Sequence, residues 1–119
     1  MNKVWIVSDM GHDYTTAKQH GEPIFLYPGK INVFASCKLI TELCEKLRPS
    51  DKEDFLLPSG NSMATCIAFS ILMQKHGKVN MLIYSFRNNL FEVRTILQSQ
   101  YSLYDTSSKE EVNDNVGNR

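Results

Sequence analysis

At 119 residues, with 42% apolar and 22% charged side chains, the chain is long enough to bury one core and too short for two, and its composition is globular rather than disordered. Thirteen Lys and Arg balance thirteen Asp and Glu, so no net charge draws the molecule towards the phosphates of long nucleic acid. Cys37, Cys44 and Cys66 form no CxxC pair and fall inside apolar helical patterns, which predicts buried, reduced thiols and a cytoplasmic setting. The apolar run near Met1 is too short for a signal peptide, and no stretch reaches the ~20 apolar residues of a membrane span.

Lys3–Ser8 is a β-branched and aromatic run with little alternation, the pattern of a strand covered on both faces. A polar loop, Asp9-Met10-Gly11-His12-Asp13, leads into one or two helical turns from Thr15 to His20, with Asp13 as cap and Gly21 as stop. Pro23–Tyr27 reads as a second strand that Pro28-Gly29 terminates. Ile31–Ala35 is too short an apolar run to assign by its period. From Ser36, a plausible N-cap, the residues Leu39, Ile40, Leu43, Cys44 and Leu47 recur at three- and four-residue spacings and predict one apolar helix face. Lys38, Glu42, Glu45, Lys46 and Arg48 occupy the other face. Pro49 ends the helix, and Ser50–Asp54 reads as a charged surface connection.

Phe55-Leu56-Leu57 predicts a third strand, and Ser62–His76 a second helix that is apolar around most of its circumference. Such a helix is either central in its domain or covered by another subunit, and the second alternative makes a homo-oligomer one of the expected partners. Lys75 and His76 suit its negative C-terminal end, and Gly77 supplies a left-handed stop. Val79–Tyr84 is a fourth strand. Leu90–Ile96 alternates in part, and the left-handed tolerance of Asn88-Asn89 joins it to the fourth strand as an antiparallel edge hairpin. Residues 105–119 have the composition of a solvated tail, with Tyr101, Leu103 and Tyr104 as its anchors. The whole predicts an α/β protein: a small three-layer, Rossmann-like or flavodoxin-like parallel sheet with an antiparallel edge hairpin, one domain over residues 1–97, and a C-terminal extension over 98–119. The pattern leaves strand order open.

In that architecture the loops after the first, third and fourth strands share one sheet edge, where ligands of open α/β sheets bind. Ser8, Asp9, Gly11, His12 and Asp13 come from the first loop, Ser59, Gly60 and Asn61 from the second, and Ser85 and Arg87 from the third. An imidazole, carboxylates, hydroxyls, an amide, a guanidinium and a helix N-terminus suit a phosphorylated or nucleotide-like small molecule. Each element also has a purely structural use. Ser59-Gly60-Asn61 serves as a turn and N-cap, His12 with Asp13 as loop hydrogen bonds rather than an acid/base pair, and Arg87 as a solvated hairpin tip. The P-loop Lys, the dinucleotide glycine fingerprint and the GxSxG elbow are all missing. His12, His20, His76, Asp9 and Asp13 show no HxxxH-type spacing, so neither a metal nor a cofactor is expected.

The run Asp54-Phe55-Leu56-Leu57-Pro58-Ser59-Gly60-Asn61, the helix ending in Lys75-His76-Gly77-Lys78-Val79-Asn80-Met81-Leu82-Ile83-Tyr84, and the Gly11-His12-Asp13-Tyr14 loop resemble small proteins of unknown function encoded by tailed bacteriophages. The resemblance covers most of residues 3–96 and implies action in the host cytoplasm during infection; it brings no activity or site residues. The first expectation is non-catalytic binding of a phosphorylated or nucleotide-like molecule, such as a host signalling nucleotide held in sequestration. The alternative is a factor that acts on a host protein through its apolar surface and tail, and catalysis through His12 comes third.

Overall fold

Strands and helices alternate as the apolar runs predict, in a computed structural model whose described residues are 1–29, 31 and 36–104. The expectations for 32–35, for the Ser36 cap, for Leu103 and Tyr104 as anchors and for the 105–119 tail lie outside the described residues or side chains. The elements are β1 (Lys3–Ser8), β2 (Glu22–Tyr27), α1 (Ser36–Lys46), β3 (Phe55–Leu57), α2 (Ser62–His76), β4 (Lys78–Ser85) and β5 (Leu90–Leu97), with 3-10 segments at Thr15–Gln19 and Gln98–Tyr104. They build one five-stranded sheet in the order β2-β1-β3-β4-β5. All neighbours are parallel except β4 and β5, which pair antiparallel from Lys78↔Leu97 to Ser85↔Leu90. This is the α/β, Rossmann/flavodoxin-like class with its antiparallel edge.

The strand order explains how the layers divide. The chain steps one way from β1 to β2, then back across β1 to β3 and onward to β4. Right-handed crossovers in opposite directions place their connections on opposite faces. Accordingly α1 and α2 share one face, where Leu39, Leu43 and Leu47 with Ala64, Ala68, Leu72 and Met73 bury Trp5, Val7, Leu56 and Val79. Successive β1 side chains alternate, so Val4 and Ile6 point the other way and pack with Leu57, Leu82 and Phe91 beneath Ala17 and Tyr14. The third layer is therefore thin, a five-residue 3-10 segment where a helix would ordinarily lie.

Several local expectations change. The buried stripe of α1 is Leu39, Leu43 and Leu47, a strict four-residue repeat, whereas Ile40 is 46% exposed. Cys37, Cys44 and Cys66 are free but exposed, not buried. A helix lying flat on a sheet buries only about one residue in four, and the cysteines fall off that stripe on both helices. α2 is likewise not central: it lies on the outer side of the sheet with Met63 exposed. Gly21 has no left-handed backbone; a Cβ there would sit 2.4 Å from the Asn2 carbonyl oxygen, so glycine permits the close approach that opens the β1–β2 ladder. Gly77 does take the left-handed conformation (φ 72°), and its N–H closes α2 on Met73 O at 2.8 Å. Lys75 holds the turn that follows α1 rather than the end of its own helix, with Nζ donating to Leu47 O (3.2 Å), Arg48 O and Ser50 O (3.4 Å).

The connection before β3 is not simply a surface loop, because Ser50 and Asp54 at its two ends are buried. The Asp54 carboxylate accepts from Lys3 N (3.0 Å), Trp5 Nε1 (2.9 Å) and Asp51 N (2.9 Å). Asn80 Nδ2 donates to Asp54 O at 3.3 Å, and Thr95 Oγ1 donates to Asn80 Oδ1 at 2.8 Å. These bonds tie four strands at the edge opposite the loops that follow.

Candidate functional site

β1 and β3 are adjacent and parallel, and the chain leaves them for opposite faces of the sheet, which makes their C-terminal ends the topological switch point. Ser8, the last residue of β1, locks the two departing loops together: its N–H donates to Ser59 O at 3.1 Å and its Oγ to the same oxygen at 2.9 Å. Gly60 crosses directly over this bond with φ 89°, and a Cβ at Gly60 would lie 2.1 Å from Ser8 Oγ and 3.0 Å from Met10 Sδ. Only glycine satisfies both the left-handed backbone and the space. Asn61 then caps α2, its Oδ1 accepting from Ala64 N at 2.9 Å.

The loop after β1 is built from two aspartate turns. Asp9 Oδ1 accepts from Gly11 N and Asp13 Oδ1 from Thr15 N, each at 2.9 Å. Hydrogen bonding from Thr15, through its side chain first and then its backbone, holds the Asp13 carboxyl below its ordinary range. Between the turns, Tyr14 reaches back so that its hydroxyl lies 2.7 Å from Ser59 Oγ and accepts from Met10 N at 3.2 Å. Its ring meets Phe25 edge-to-face at 5.4 Å and His12 at 6.1 Å.

Across from Tyr14 stands the β4–β5 hairpin. Asn89 supplies the predicted left-handed residue (φ 55°), and Asn88 N donates to Ser85 Oγ at 3.3 Å. The register pairs Tyr84 with Phe91. The Tyr84 ring packs edge-to-face on Phe91 at 5.2 Å and on Phe86 at 5.0 Å, yet Phe86 itself is 86% exposed.

These walls enclose a cleft of about 450 Å³. His12, Asp13, Tyr14 and Thr16 come from the first loop, Leu57, Pro58, Ser59 and Gly60 from the second, and Tyr84, Phe86, Asn89 and Phe91 from the hairpin. Of the ten residues that the sequence singles out, His12, Asp13, Ser59 and Gly60 meet here. Ser8 is buried beneath the floor, Asp9 and Gly11 form an exposed turn beside it, and Asn61 caps the helix. Ser85 braces the hairpin, and Arg87 stands exposed on it, outside the lining. The aromatic residues Tyr14, Tyr84, Phe86 and Phe91 were not among those ten. The signal for two of them was present, since a hairpin turning on Asn88-Asn89 sets Tyr84 opposite Phe91 at the loop edge.

The cleft's chemistry differs from that of a phosphate trap. Apart from the phenols of Tyr14 and Tyr84, its ionisable lining residues are His12 and Asp13, and neither Lys nor Arg contributes. What it offers is ring surface for a planar apolar group, the Ser59 and Tyr14 hydroxyls for orientation, and the amino end of α2 beside Gly60. Among the described residues no three His, Cys, Asp or Glu side chains are grouped to hold a metal ion, and no helix is long and apolar enough to cross a membrane.

No curated protein and no solved structure matches the chain. A family model does, that of the phage Pam3 gp32-like protein, over residues 2–96. That span contains both helices, the strands β1 to β4, nearly all of β5, and every segment bordering the cleft. The chain accordingly belongs to the phage Pam3 gp32-like family and is a small phage-encoded protein.

Proposed function

We propose that the protein binds a small nucleotide-like molecule in this cleft without transforming it. The observation that carries the proposal is the placement of aromatic rings, Tyr84, Phe86 and Phe91 on one wall and Tyr14 on the other, around a hydroxyl floor at the switch point. A purine or pyrimidine stacks on such rings irrespective of its identity, and each stacked base contributes about 1–3 kcal/mol. A sugar or phosphate group attached to it would reach Ser59, Gly60 and the amino end of α2. Binding rather than turnover is favoured because Ser59 Oγ is hydrogen-bonded to a phenol and not to a general base. In the host cytoplasm such a protein would act by withholding a signalling nucleotide from its receptors.

The test is calorimetric titration with a panel of purine and pyrimidine mononucleotides, cyclic nucleotides and dinucleotides. One member should bind, and Phe86→Ala should weaken it at least about tenfold, since a single lost stacking contact of this size suffices. A panel with no binder, or a binder indifferent to both Phe86→Ala and Ser59→Ala, overturns the proposal. The second reading, action on a host protein, draws on the exposed Met63 and Tyr101. Its signature is loss of a defined host partner on Met63→Glu or on truncation after Ile96, with the nucleotide panel negative.

A further inference from the structure

β5 is an outer strand of the sheet, and its ladder with β4 determines which backbone groups it turns outwards. Gln98 N donates to Gly77 O at 3.0 Å, so these two form a hydrogen-bonded pair. By the two-residue period of antiparallel pairing, Ile96, Arg94, Glu92 and Leu90 also direct their backbone groups to β4. Phe91, Val93, Thr95 and Leu97 direct theirs to the free side. Gln100 Oε1 accepts from Leu97 N at 2.8 Å, and Arg94 Nη1 donates to Val93 O at 2.9 Å. The N–H groups of Phe91, Val93 and Thr95 have no partner among the described residues.

Edge strands are ordinarily blunted by Pro, Lys, a bulge or shortness. β2, at the other edge, carries Pro23. Apart from the opposite charges of Glu92 and Arg94, β5 carries no such device: LFEVRTIL is eight residues long, free of Pro, Gly and Lys, and pairs with β4 without a bulge. Leu90, Val93 and Leu97 on it are exposed. We propose that this edge pairs with β5 of a second copy of the chain, antiparallel about a two-fold axis through Val93, to form one continuous sheet.

The charges select that register. With Val93 on the axis, Glu92 faces Arg94 of the second copy and Arg94 faces Glu92 of the second copy, both in non-hydrogen-bonded pairs where side chains lie closest. Leu90 then faces Ile96 of the second copy, apolar against apolar. The outward N–H and C=O groups of Phe91, Val93 and Thr95 all find partners, Val93 O exchanging its Arg94 bond for a backbone one. A shift of one residue in the axis position sets Glu92 against Glu92 or Arg94 against Arg94, which is repulsive. Within one chain Arg94 Nη2 already donates to Glu92 Oε1 at 2.7 Å, so the two-fold closes these four side chains into an alternating ring of charge. An edge whose pattern complements itself under a two-fold is the signature of an isologous interface. The same pairing sets Thr95 of the second copy beside Phe91, a wall of the cleft.

The full-length chain should be dimeric in sedimentation velocity over about 1 to 100 µM. Glu92→Arg and Arg94→Glu, each alone, should raise the dimer dissociation constant at least about tenfold, because two attractive pairs become two repulsive ones. The double reversal should return it to within about threefold of the parent. Circular dichroism checks that each variant is folded. Independently, Val93→Cys in a chain with Cys37, Cys44 and Cys66 changed to Ser should cross-link under mild oxidation, since hydrogen-bonded partners lie ~5.5 Å apart at Cα, within disulfide range. A monomer throughout that range, a dimer indifferent to both single reversals, or a folded double variant that fails to re-associate would overturn the proposal.

Discussion

Gly60→Ala offers the sharpest check on how the switch point is built. The substitution acts twice. It places an L-residue at φ 89°, where a Cβ costs about 1–2 kcal/mol, and it drives a methyl to 2.1 Å from Ser8 Oγ, an overpacking cost of about 1–3 kcal/mol. Ser8 cannot simply rotate away, because it is buried and its hydroxyl is bonded to Ser59 O at 2.9 Å. The sum is about 3 kcal/mol, a large fraction of the stability of a domain this size. Urea unfolding followed by Trp5 fluorescence should show the midpoint falling by about 1.5 M with an unchanged slope. The two causes separate in a double-mutant cycle. Ser8→Ala alone should cost only about 1 kcal/mol, since Ser59 O keeps its bond from Ser8 N at 3.1 Å. In the double variant the collision with Ser8 Oγ is gone and only the tight contact with the flexible Met10 side chain, 3.0 Å at Sδ, remains, so Gly60→Ala should cost about 1–2 kcal/mol, most of it the backbone penalty. A single variant within about 0.5 kcal/mol of the parent, or strict additivity in the cycle, would refute the packing described for this junction.

Asp54→Ala should destabilise the fold by about 3 kcal/mol in the same assay, because it strands the Trp5 indole N–H inside the core and removes two further bonds; a loss below about 1 kcal/mol would mean that water replaces the carboxylate. His76 should make stability fall with acid. Desolvation first, and then the Lys75 charge, lowers its folded pKa from 6.5. The unfolded chain therefore binds the proton more readily, and stability is full above pH 6.5 and declines as pH drops through the folded value. Melting temperature against pH should show that acid limb flattened in His76→Gln.

Much of the fold was legible because its cues are local. Asn61, Gly77 and Asn89 each act within four residues, and their cap, stop and turn stand where the sequence puts them. What was not legible depends on contacts between distant segments. Gly21 reads as a helix stop, but it is required by Asn2 across the sheet. Lys75 reads as complementing its own helix, but it serves the turn that follows α1. The cysteines fit apolar periodicity, but the stripe each helix buries against the sheet (Leu39, Leu43 and Leu47; Ala64, Ala68 and Leu72) is narrower than that pattern and leaves them outside it. The candidate site divides the same way. His12, Asp13, Ser59 and Gly60 follow from the rule that loops gather at the C-terminal edge, whereas Arg87 drew attention for its charge and lies outside the cleft. Tyr14 could not be read as a site residue, since its role rests on a hydroxyl contact 45 residues along the chain.

The position of β1 also shapes how the protein is made. Its residues Val4 to Ser8 are synthesised before either of the strands that flank them, yet they form an interior strand with neighbours on both sides. β2 can satisfy one side once residue 27 is available, but the other waits for Phe55–Leu57, and the helix-covered face waits longer still, until α2 is complete at His76. Trp5 and Val7 therefore lack their full cover until α2 has been synthesised. During that interval the unpaired edge and uncovered face of β1 are the parts of the nascent chain most open to wrong pairing, the kind of surface on which chaperones act.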